Sequence, residues 1–253
     1  MSKDGRTLFG SVPPITLNLI IITVICWLAQ FLFQDKGIYL SQLFGLHYFK
    51  SEAFYPHQII SYMFMHDTSS IMHVFFNMFA VFMFGRTLET VWGPKRFLFY
   101  YVATAIGAAL TSLLVAYLRI NSAESGMTPE MISEVYKNGL GILNTGKNYA
   151  DPLLGELNLL LNQCTVGASG AVFGILLAFG MIFPDTKLVI IPIPVPIKAK
   201  YLVIFYGLGE LLLGIWDRPG DNVAHFAHFG GLFFGLIIML YWRKKNKEHG
   251  RFY

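Results

Sequence analysis

The sequence predicts an all-α polytopic membrane protein, a bundle of six transmembrane helices with both termini in the cytoplasm. Three observations indicate this class: a shortage of charged residues, six long apolar runs, and an uneven distribution of Lys and Arg. Of the 253 residues, 55% are hydrophobic and 13% are charged, whereas soluble domains carry about 25% charged residues. So few charges cannot cover a water-soluble surface, but a surface that faces lipid needs none.

The six apolar runs differ in length. The third is the clearest full span, whereas the second, fourth and fifth fall at or below the lower end of the roughly 20 residues that cross a bilayer. Short spans thin the bilayer or begin below its surface. The first run is too long for a removed signal peptide and lacks a small-residue cleavage site. The runs cover residues 15–33, 72–85 with an apolar lead-in at 59–65, 97–118, 167–183, 201–216 and 223–242.

Lys and Arg indicate the orientation. With the N-terminus inside, 13 of them fall on the inner side and 6 on the outer side, which together make the 19 in the chain. Because cytoplasmic loops carry the excess of Lys and Arg, both termini are predicted inside and the number of spans even. The predicted organisation is a cytoplasmic tail at 1–12, a six-helix domain at 13–242 and a basic cytoplasmic tail at 243–253. With no transit peptide or appended soluble domain, the predicted location is a bacterial cytoplasmic membrane.

The longest polar interval is an outer loop at about 119–166. Within it, Thr128-Pro129 and Asp151-Pro152 each precede apolar residues and predict the starts of two short helices. Two interpretations remain open for this loop. It is either an ordered loop packed on the helix ends or a segment that lies on the membrane surface.

Other bulk features exclude several classes of protein. The net charge of +4 does not indicate nucleic-acid binding, because the basic residues lie in short connections between apolar runs. Cys26 and Cys164 have neither a disulfide pattern nor a metal-site spacing, and we interpret both as small packing residues. Nothing in the sequence specifies a cofactor or an oligomeric state. The expected partners are the lipid bilayer and transmembrane proteins.

Polar side chains inside apolar runs are expensive, so they are candidates for function. His73 and Asn77 lie four residues apart, on one face of the second run. Ser169 lies at the start of the fourth run, and His225 and His228 lie early in the sixth. A serine hydroxyl becomes a strong nucleophile when a base takes its proton, and histidine titrates near neutrality. The pattern predicts a nucleophile and a general base at the mouths of two short helices.

Small-residue faces predict how those two helices meet. Small residues four positions apart let helix backbones approach closely in a membrane. Ser169 lies beside one such face and His228 just before the other, at matching depth below the outer surface. We therefore expect direct contact between their side chains. The faces are Gly170 with Gly174 on the fourth run and Gly231 with Gly235 on the sixth.

The same region predicts an oxyanion hole. The Gly-rich turn at 167–170, beginning with Gly167, presents backbone N–H groups at a helix N-terminus, which favours negative charge. His73 and Asn77 add side-chain donors near the same position. Such donors stabilise the tetrahedral intermediate of acyl transfer.

The sequence favours a dyad over a triad. No carboxylate lies on the outer halves of the two helices that carry Ser169 and His228. Glu210, in the middle of the fifth run, is expected to hydrogen-bond to a neighbouring helix. The fifth run is also the predicted lateral gate for a substrate, since it is short and contains Gly207, Gly209 and Gly214.

Four motifs then occur in order along the chain. They are His73-Val-Phe-Phe-Asn77, Gly85-Arg-Thr-Leu-Glu89 through Gly93, Gly167-Ala-Ser169-Gly170, and Ala227-His228-Phe-Gly-Gly231-Leu-Phe-Phe-Gly235. On these motifs the chain resembles the rhomboid family of intramembrane serine proteases over residues 10–245. The resemblance implies a six-helix fold, with Ser169 as nucleophile and His228 as its base. It also implies a substrate that is itself a transmembrane helix, cleaved near its outer end.

The resemblance implies further residue roles. It favours His228 over His225 as the base, because glycines at the family's spacing follow His228. It gives Glu89 a structural role near the inner end of the second helix. Its oxyanion stabilisers are His73, Asn77 and the Ser169 amide.

The chain departs from the family pattern at several positions. Many members carry Trp-Arg where this chain has His57-Gln58, which leaves the anchoring of the first outer loop open. His66 and His73 are two residues further apart than is usual, so no role is assigned to His66. Phe173 replaces a common Tyr, and its ring can stack on the imidazole without a hydrogen bond. The long outer loop at 119–166 is also unusual.

Three other functions compete with a serine endopeptidase that acts through an acyl-enzyme. A catalytically silent relative that binds membrane proteins would be marked by loss of the Ser or the His, and both are present. A transporter would show internal repeats with broken helices, and we find no duplication. Metal catalysis by His66, His73, His225 and His228 is disfavoured because no His-Glu-x-x-His string occurs.

Overall fold

The computed structural model describes residues 12–190, 193–215 and 222–248. Most of the predicted N-terminal tail and the end of the predicted C-terminal tail lie outside these ranges. Four helices are long and apolar enough to cross a membrane, and they correspond to the first, second, third and sixth predicted runs. They cover Pro14–Gln34, Ile71–Trp92, Pro94–Glu124 and His225–Lys245.

The first helix, α1 (Pro14–Gln34), is tied at its start to the second hydrophobic helix. Its first N–H groups have no acceptor within the helix. The Glu89 carboxylate accepts from the Ile15 N–H at 2.9 Å and from both the N–H and the hydroxyl of Thr16 at 2.7 Å. Glu89 is buried, and these bonds confirm its predicted structural role.

The first outer loop is held by a buried glutamine. Gln58 donates through its side-chain amide to the carbonyls of Ala53 at 2.8 Å and Leu43 at 3.2 Å, and accepts from the His47 N–H at 3.2 Å. Gln58 is fully buried, so it anchors the loop where many family members carry Trp-Arg. The loop contains α2 (Leu40–Phe44), α3 (Gln58–Ser61) and a 3₁₀ turn at Tyr62–Phe64.

The second hydrophobic helix is longer than its apolar run. It comprises α4 (Ile71–Ala80), a π-helical stretch (Val81–Gly85) and α5 (Arg86–Trp92). Such π-helical stretches are rare and occur often at functional sites. The helix ends at Gly93, whose φ of +79° is a conformation that glycine adopts without strain.

The third helix leads into the long outer loop. At 31 residues, α6 (Pro94–Glu124) is about 46 Å long, which exceeds the roughly 30 Å hydrocarbon core. The predicted caps Thr128 and Asp151 begin α7 (Pro129–Asn144) and α8 (Pro152–Asn162). Both helices pack on the end of α6, which confirms the interpretation of an ordered, packed loop. Their shared core contains Tyr48, Ile120, Val135, Leu157 and Leu161.

Two short helices and a β-hairpin follow. The helices are α9 (Ser169–Ile182) and α10 (Ala199–Ile215). Between them, β1 (Lys187–Ile190) and β2 (Ile193–Lys198) pair in antiparallel fashion, which corrects the all-α prediction at this point. Prolines in β2 exclude a helix, and its β-branched residues favour a strand.

The last helix, α11 (Asn222–Glu248), packs against α6, α9 and α10. It continues past Trp242, so the described part of the predicted basic tail is helical. A side chain at Gly231 would collide with the carbonyl oxygen of Gly170, and a Cβ at Gly235 would lie 3.4 Å from the Gly174 Cα. The predicted close approach of the two glycine faces is confirmed.

Candidate active site

Ser169 is the first residue of α9, and a fixed turn precedes it. Gly167 has a φ of +123°, which strains any residue with a side chain. Its N–H donates to the Tyr62 carbonyl at 3.0 Å. The Ala168 N–H donates to Nε2 of His66 at 3.4 Å. These bonds place the serine hydroxyl at the mouth of the helix.

His228 faces this hydroxyl from α11. Its Nε2 lies 2.7 Å from Oγ of Ser169, a hydrogen-bonding distance. His228 lies one turn before Gly231, and the contact of Gly231 with Gly170 brings the two helix backbones together at this level. The predicted contact between the two side chains is therefore present.

The His228 ring is held by an aromatic side chain. Phe173 lies one turn after Ser169 on α9, and its ring stacks on the imidazole with centroids 4.5 Å apart and planes tilted by 13°. Because phenylalanine has no hydroxyl, it positions the imidazole by packing alone. The other edge of Phe173 meets Tyr206 of α10, with centroids 6.0 Å apart.

A carboxylate from α10 reaches the same histidine, which the sequence did not indicate. Oε2 of Glu210 lies 2.6 Å from Nδ1 of His225 and 3.0 Å from Nδ1 of His228. The pairing with His225 confirms the expected bond to a neighbouring helix. The His228 contact is short but poorly aligned, since its buried Nδ1 makes no hydrogen bond within the described residues. The available signal was an intramembrane acid, which requires a partner, followed by two histidines on the next helix.

The predicted oxyanion donors differ in their hydrogen-bond partners. Nδ1 of His73 accepts from the Asp67 N–H at 3.4 Å, so the ring proton is assigned to Nε2. This nitrogen lies 3.2 Å from where a Cβ on Gly167 would stand, and Oγ of Ser169 lies 3.6 Å from the same point. The Asn77 amide donates to the His73 carbonyl at 2.8 Å. Thus Nε2 of His73 and Oγ of Ser169 both border the space beside Gly167. Asn77 is bonded within its own helix, and the Gly167 N–H is held by the Tyr62 carbonyl.

His66 is a further residue of the site that the sequence left without a role. It is buried, its ring centroid lies 5.0 Å from that of His73, and it accepts from the residue before Ser169. Burial, reinforced by the neighbouring His73, lowers the pKa of His66 to about 4. A neutral imidazole therefore supports the turn that carries the serine.

Three side chains beside Ser169 have the chemistry of metal ligands. One ligand atom each of Glu210, His225 and His228 lies within 4.8 Å of the other two. A carboxylate oxygen and imidazole nitrogens are ordinary ligands for Zn²⁺. His66 and His73, the other histidines considered as ligands, are not part of this cluster. His66 lies in the loop before α4, and His73 lies on α4.

An apolar helical bundle with a serine and a histidine in contact at a helix mouth defines an integral membrane protein with a serine–histidine site. A Rhomboid domain model matches residues 53–245, and the chain belongs to the rhomboid family. Rhomboid protein 1, mitochondrial, of Saccharomyces cerevisiae is 26% identical over 169 residues, covering 67% of this chain and 37% of that protein. Rhomboid protease AarA of Providencia stuartii is 25% identical over 171 residues, covering 66% and 50%. The chain thus matches half or less of the length of these relatives.

Proposed function

We propose that this protein is an intramembrane serine endopeptidase that cleaves transmembrane-helix substrates. The observation that carries the proposal is the 2.7 Å distance between Nε2 of His228 and Oγ of Ser169. Family membership supports it, and the relative from Providencia stuartii is named a rhomboid protease. The bonded pair has the geometry in which a base activates a hydroxyl nucleophile.

The proposed reaction passes through an acyl-enzyme. Nε2 of His228 takes the hydroxyl proton while Oγ of Ser169 attacks the scissile carbonyl carbon. The tetrahedral oxyanion collapses, the C–N bond breaks, and the imidazolium gives its proton to the leaving amine. A water then attacks the ester with His228 again as base, and Oγ leaves as a hydroxyl. The Glu210 carboxylate, 3.0 Å from Nδ1, favours the imidazolium by its negative charge.

The oxyanion is stabilised from the His73 side. His73 supplies an Nε2–H beside the turn that carries the serine, and the Ser169 N–H, in the first turn of α9, has no acceptor within the helix. Asn77 contributes if its amide turns away from the His73 carbonyl when substrate binds. Gly167 contributes space, since a Cβ there would stand 3.2 Å from Nε2 of His73.

The proposed topology has six spans, with both termini cytoplasmic, in a bacterial cytoplasmic membrane. The 13 against 6 distribution of Lys and Arg supports the orientation. With 14 residues, α9 is about 21 Å long, which is shorter than the roughly 30 Å hydrocarbon core. A helix that reaches the inner surface therefore begins below the outer one. This depth gives Ser169 a water-filled cavity open to the outside, and water is a reactant.

Substrate access is proposed between α10 and α4. The α10 helix packs on α9 and α11, and its remaining faces are apolar and exposed, with Phe205 75% exposed. A helix held on one side can move without disturbing the serine. A cross-link between α10 and α4 should abolish cleavage of a transmembrane substrate. Undiminished cleavage by the cross-linked protein rules out this gate.

The deciding experiment is labelling of the purified, membrane-reconstituted protein with a serine-reactive fluorophosphonate. Labelling is expected for the wild type and is expected to be lost in Ser169→Ala and His228→Ala. The matched controls are Ser122→Ala and His57→Ala, since both side chains are exposed and lie outside the site. If the wild type stays unlabelled beside an active rhomboid protease, the proposal fails. A catalytically silent membrane-protein binder then becomes the better description.

A further inference from the structure

We propose that Glu210, His225 and His228 form a binding site for a divalent transition-metal cation, Zn²⁺ above all. We further propose that the bound cation switches off the serine nucleophile. The binding half stands on the three side chains alone. The inhibitory half rests on the proposed function, because it acts through the base of the Ser169–His228 pair.

The geometry of the cluster fits a tetrahedral cation. Oε2 of Glu210 lies 2.6 Å and 3.0 Å from the Nδ1 atoms of His225 and His228, and all three atoms lie within 4.8 Å of one another. A tetrahedral Zn²⁺ with bonds of about 2.1 Å separates its ligand atoms by about 3.4 Å. Oε2 therefore needs to move away from each nitrogen by less than about 1 Å. A rotation of the Glu210 side chain supplies such a movement.

The donor chemistry selects the cation. Two imidazoles and one carboxylate suit Zn²⁺ and related transition metals, and such three-ligand sites keep a fourth position for water. Mg²⁺ and Ca²⁺ prefer oxygen ligands. Nδ1 of His228 is buried without a hydrogen bond in the described part of the chain, which is costly for a polar atom. A cation would use the lone pair of this nitrogen and balance the carboxylate charge.

The same bond prevents His228 from acting as a base. A neutral imidazole that coordinates a metal through Nδ1 carries its proton on Nε2. That N–H then points at Oγ of Ser169, 2.7 Å away, and donates to the oxygen instead of accepting its proton. The serine stays a neutral hydroxyl. The nearby positive charge also opposes formation of an imidazolium.

The binding half is tested on the Ser169→Ala protein, which keeps all three ligands and cannot be labelled. Zinc sulfate is titrated into this protein in detergent, and bound zinc is measured after dialysis. We expect one bound zinc, lost when Glu210→Gln or His225→Ala is added, since each removed ligand lowers affinity by more than roughly tenfold. A matched His57→Asn variant should still bind it. Equal zinc binding by all four proteins overturns the site.

The inhibitory half is tested by fluorophosphonate labelling of the otherwise unaltered protein with and without zinc sulfate. The labelling rate should fall by roughly 10²-fold, the contribution of a general base, and recover with EDTA, while magnesium sulfate has no effect. The His225→Ala protein, compared with itself without zinc, should lose this sensitivity. An unchanged rate at saturating zinc overturns the inhibition. A wild type that is unlabelled even without zinc refutes the proposed function, and the metal site is then judged by binding alone.

Discussion

The two helices that reach His228 from either side, α9 and α10, are held in contrasting ways. More than half of α9 is buried, and its backbone touches α11 where Gly231 meets Gly170. In α10, by contrast, only Ala199, Leu202, Val203 and Gly214 are buried. The nucleophile thus lies on the closely packed helix, α9, and Glu210 lies on the more exposed helix, α10. Close packing fixes the reacting atoms, while the exposed apolar face of α10 carries no penalty in lipid.

The largest effect that tests this contrast is expected from Gly231→Ala compared with Gly209→Ala. A methyl group at Gly231 collides with the Gly170 carbonyl, and backbone cannot yield as a side chain does. We expect a loss of about 3 kcal/mol in the free energy of unfolding and weaker labelling of Ser169. At Gly209, among the residues that the structure describes, no neighbouring atom stands within 4 Å of the position of an added Cβ. That substitution should be neutral or stabilise by about 0.5–1 kcal/mol.

Thermal unfolding of the two variants in detergent, beside the wild type, measures the difference. The comparison between α9 and α10 breaks down if the two substitutions shift the midpoint equally. The comparison is sharpened if only Gly231→Ala also slows labelling, because the wider separation of α9 and α11 would then change the position of Ser169 relative to His228.

The next effect is expected from Gly167→Ala, in the turn that enters α9. Its φ of +123° strains a residue with a Cβ, and the methyl group would press on His73. We expect a loss of about 2 kcal/mol in the free energy of unfolding, together with slower labelling as the oxyanion donor is displaced. The control is Gly126→Ala, where an added Cβ meets no atom of the described part of the chain within 4 Å. A Gly167→Ala protein as stable and as reactive as this control contradicts the role assigned to the turn.

These glycines also explain how much the sequence could predict. The helices followed from apolar runs, and the Ser169–His228 contact followed from small residues spaced four apart, because both signals are local to one segment. The approach of Glu210 to His228 was missed, since it depends on how α10 is rotated against α11. No spacing within either helix encodes that rotation.

The remaining misses have equally physical causes. Gln58 anchors the first outer loop through the carbonyls of Ala53 and Leu43. Because every residue type has a backbone carbonyl, the sequence does not indicate which residues accept these bonds. His66 gained its role only through the loop that folds it under Ala168. The β-hairpin after α9 was not predicted, because its residues lie between two apolar runs and were interpreted as a connection between helices.

The packed side of the site also predicts a pH dependence. His66 has a pKa of about 4 in the fold, against an ordinary value of 6.5. Between these values the unfolded chain binds a proton that the folded chain does not. The free energy of unfolding should therefore fall as the pH drops from 6.5 toward 4, by at most about 1.4 kcal/mol per pH unit. Above pH 6.5 this group contributes no pH dependence.

Thermal midpoints measured across that pH range test the assignment. His66→Gln should flatten the decline, because an amide oxygen can still accept from the Ala168 N–H but does not titrate. His57→Gln is the matched control, since His57 is exposed, and it should decline as the wild type does. An identical decline in the His66→Gln protein would assign the dependence to other groups.

The smallest effect is expected where the two sides meet, at Phe173, whose ring lies between His228 and Tyr206. Phe173→Leu removes the stacked ring and keeps an apolar side chain, so the imidazole loses an aromatic contact of about 1 kcal/mol. Labelling of Ser169 should slow by roughly fivefold, while Phe173→Tyr, which keeps the ring, should label at a rate near the wild type. Phe31→Leu, on the exposed face of α1, controls for loss of a phenylalanine elsewhere. If Phe173→Leu labels as fast as Phe31→Leu, the bond to Ser169 and the Glu210 carboxylate are sufficient to hold the histidine. The stacked ring then has no role in positioning the imidazole.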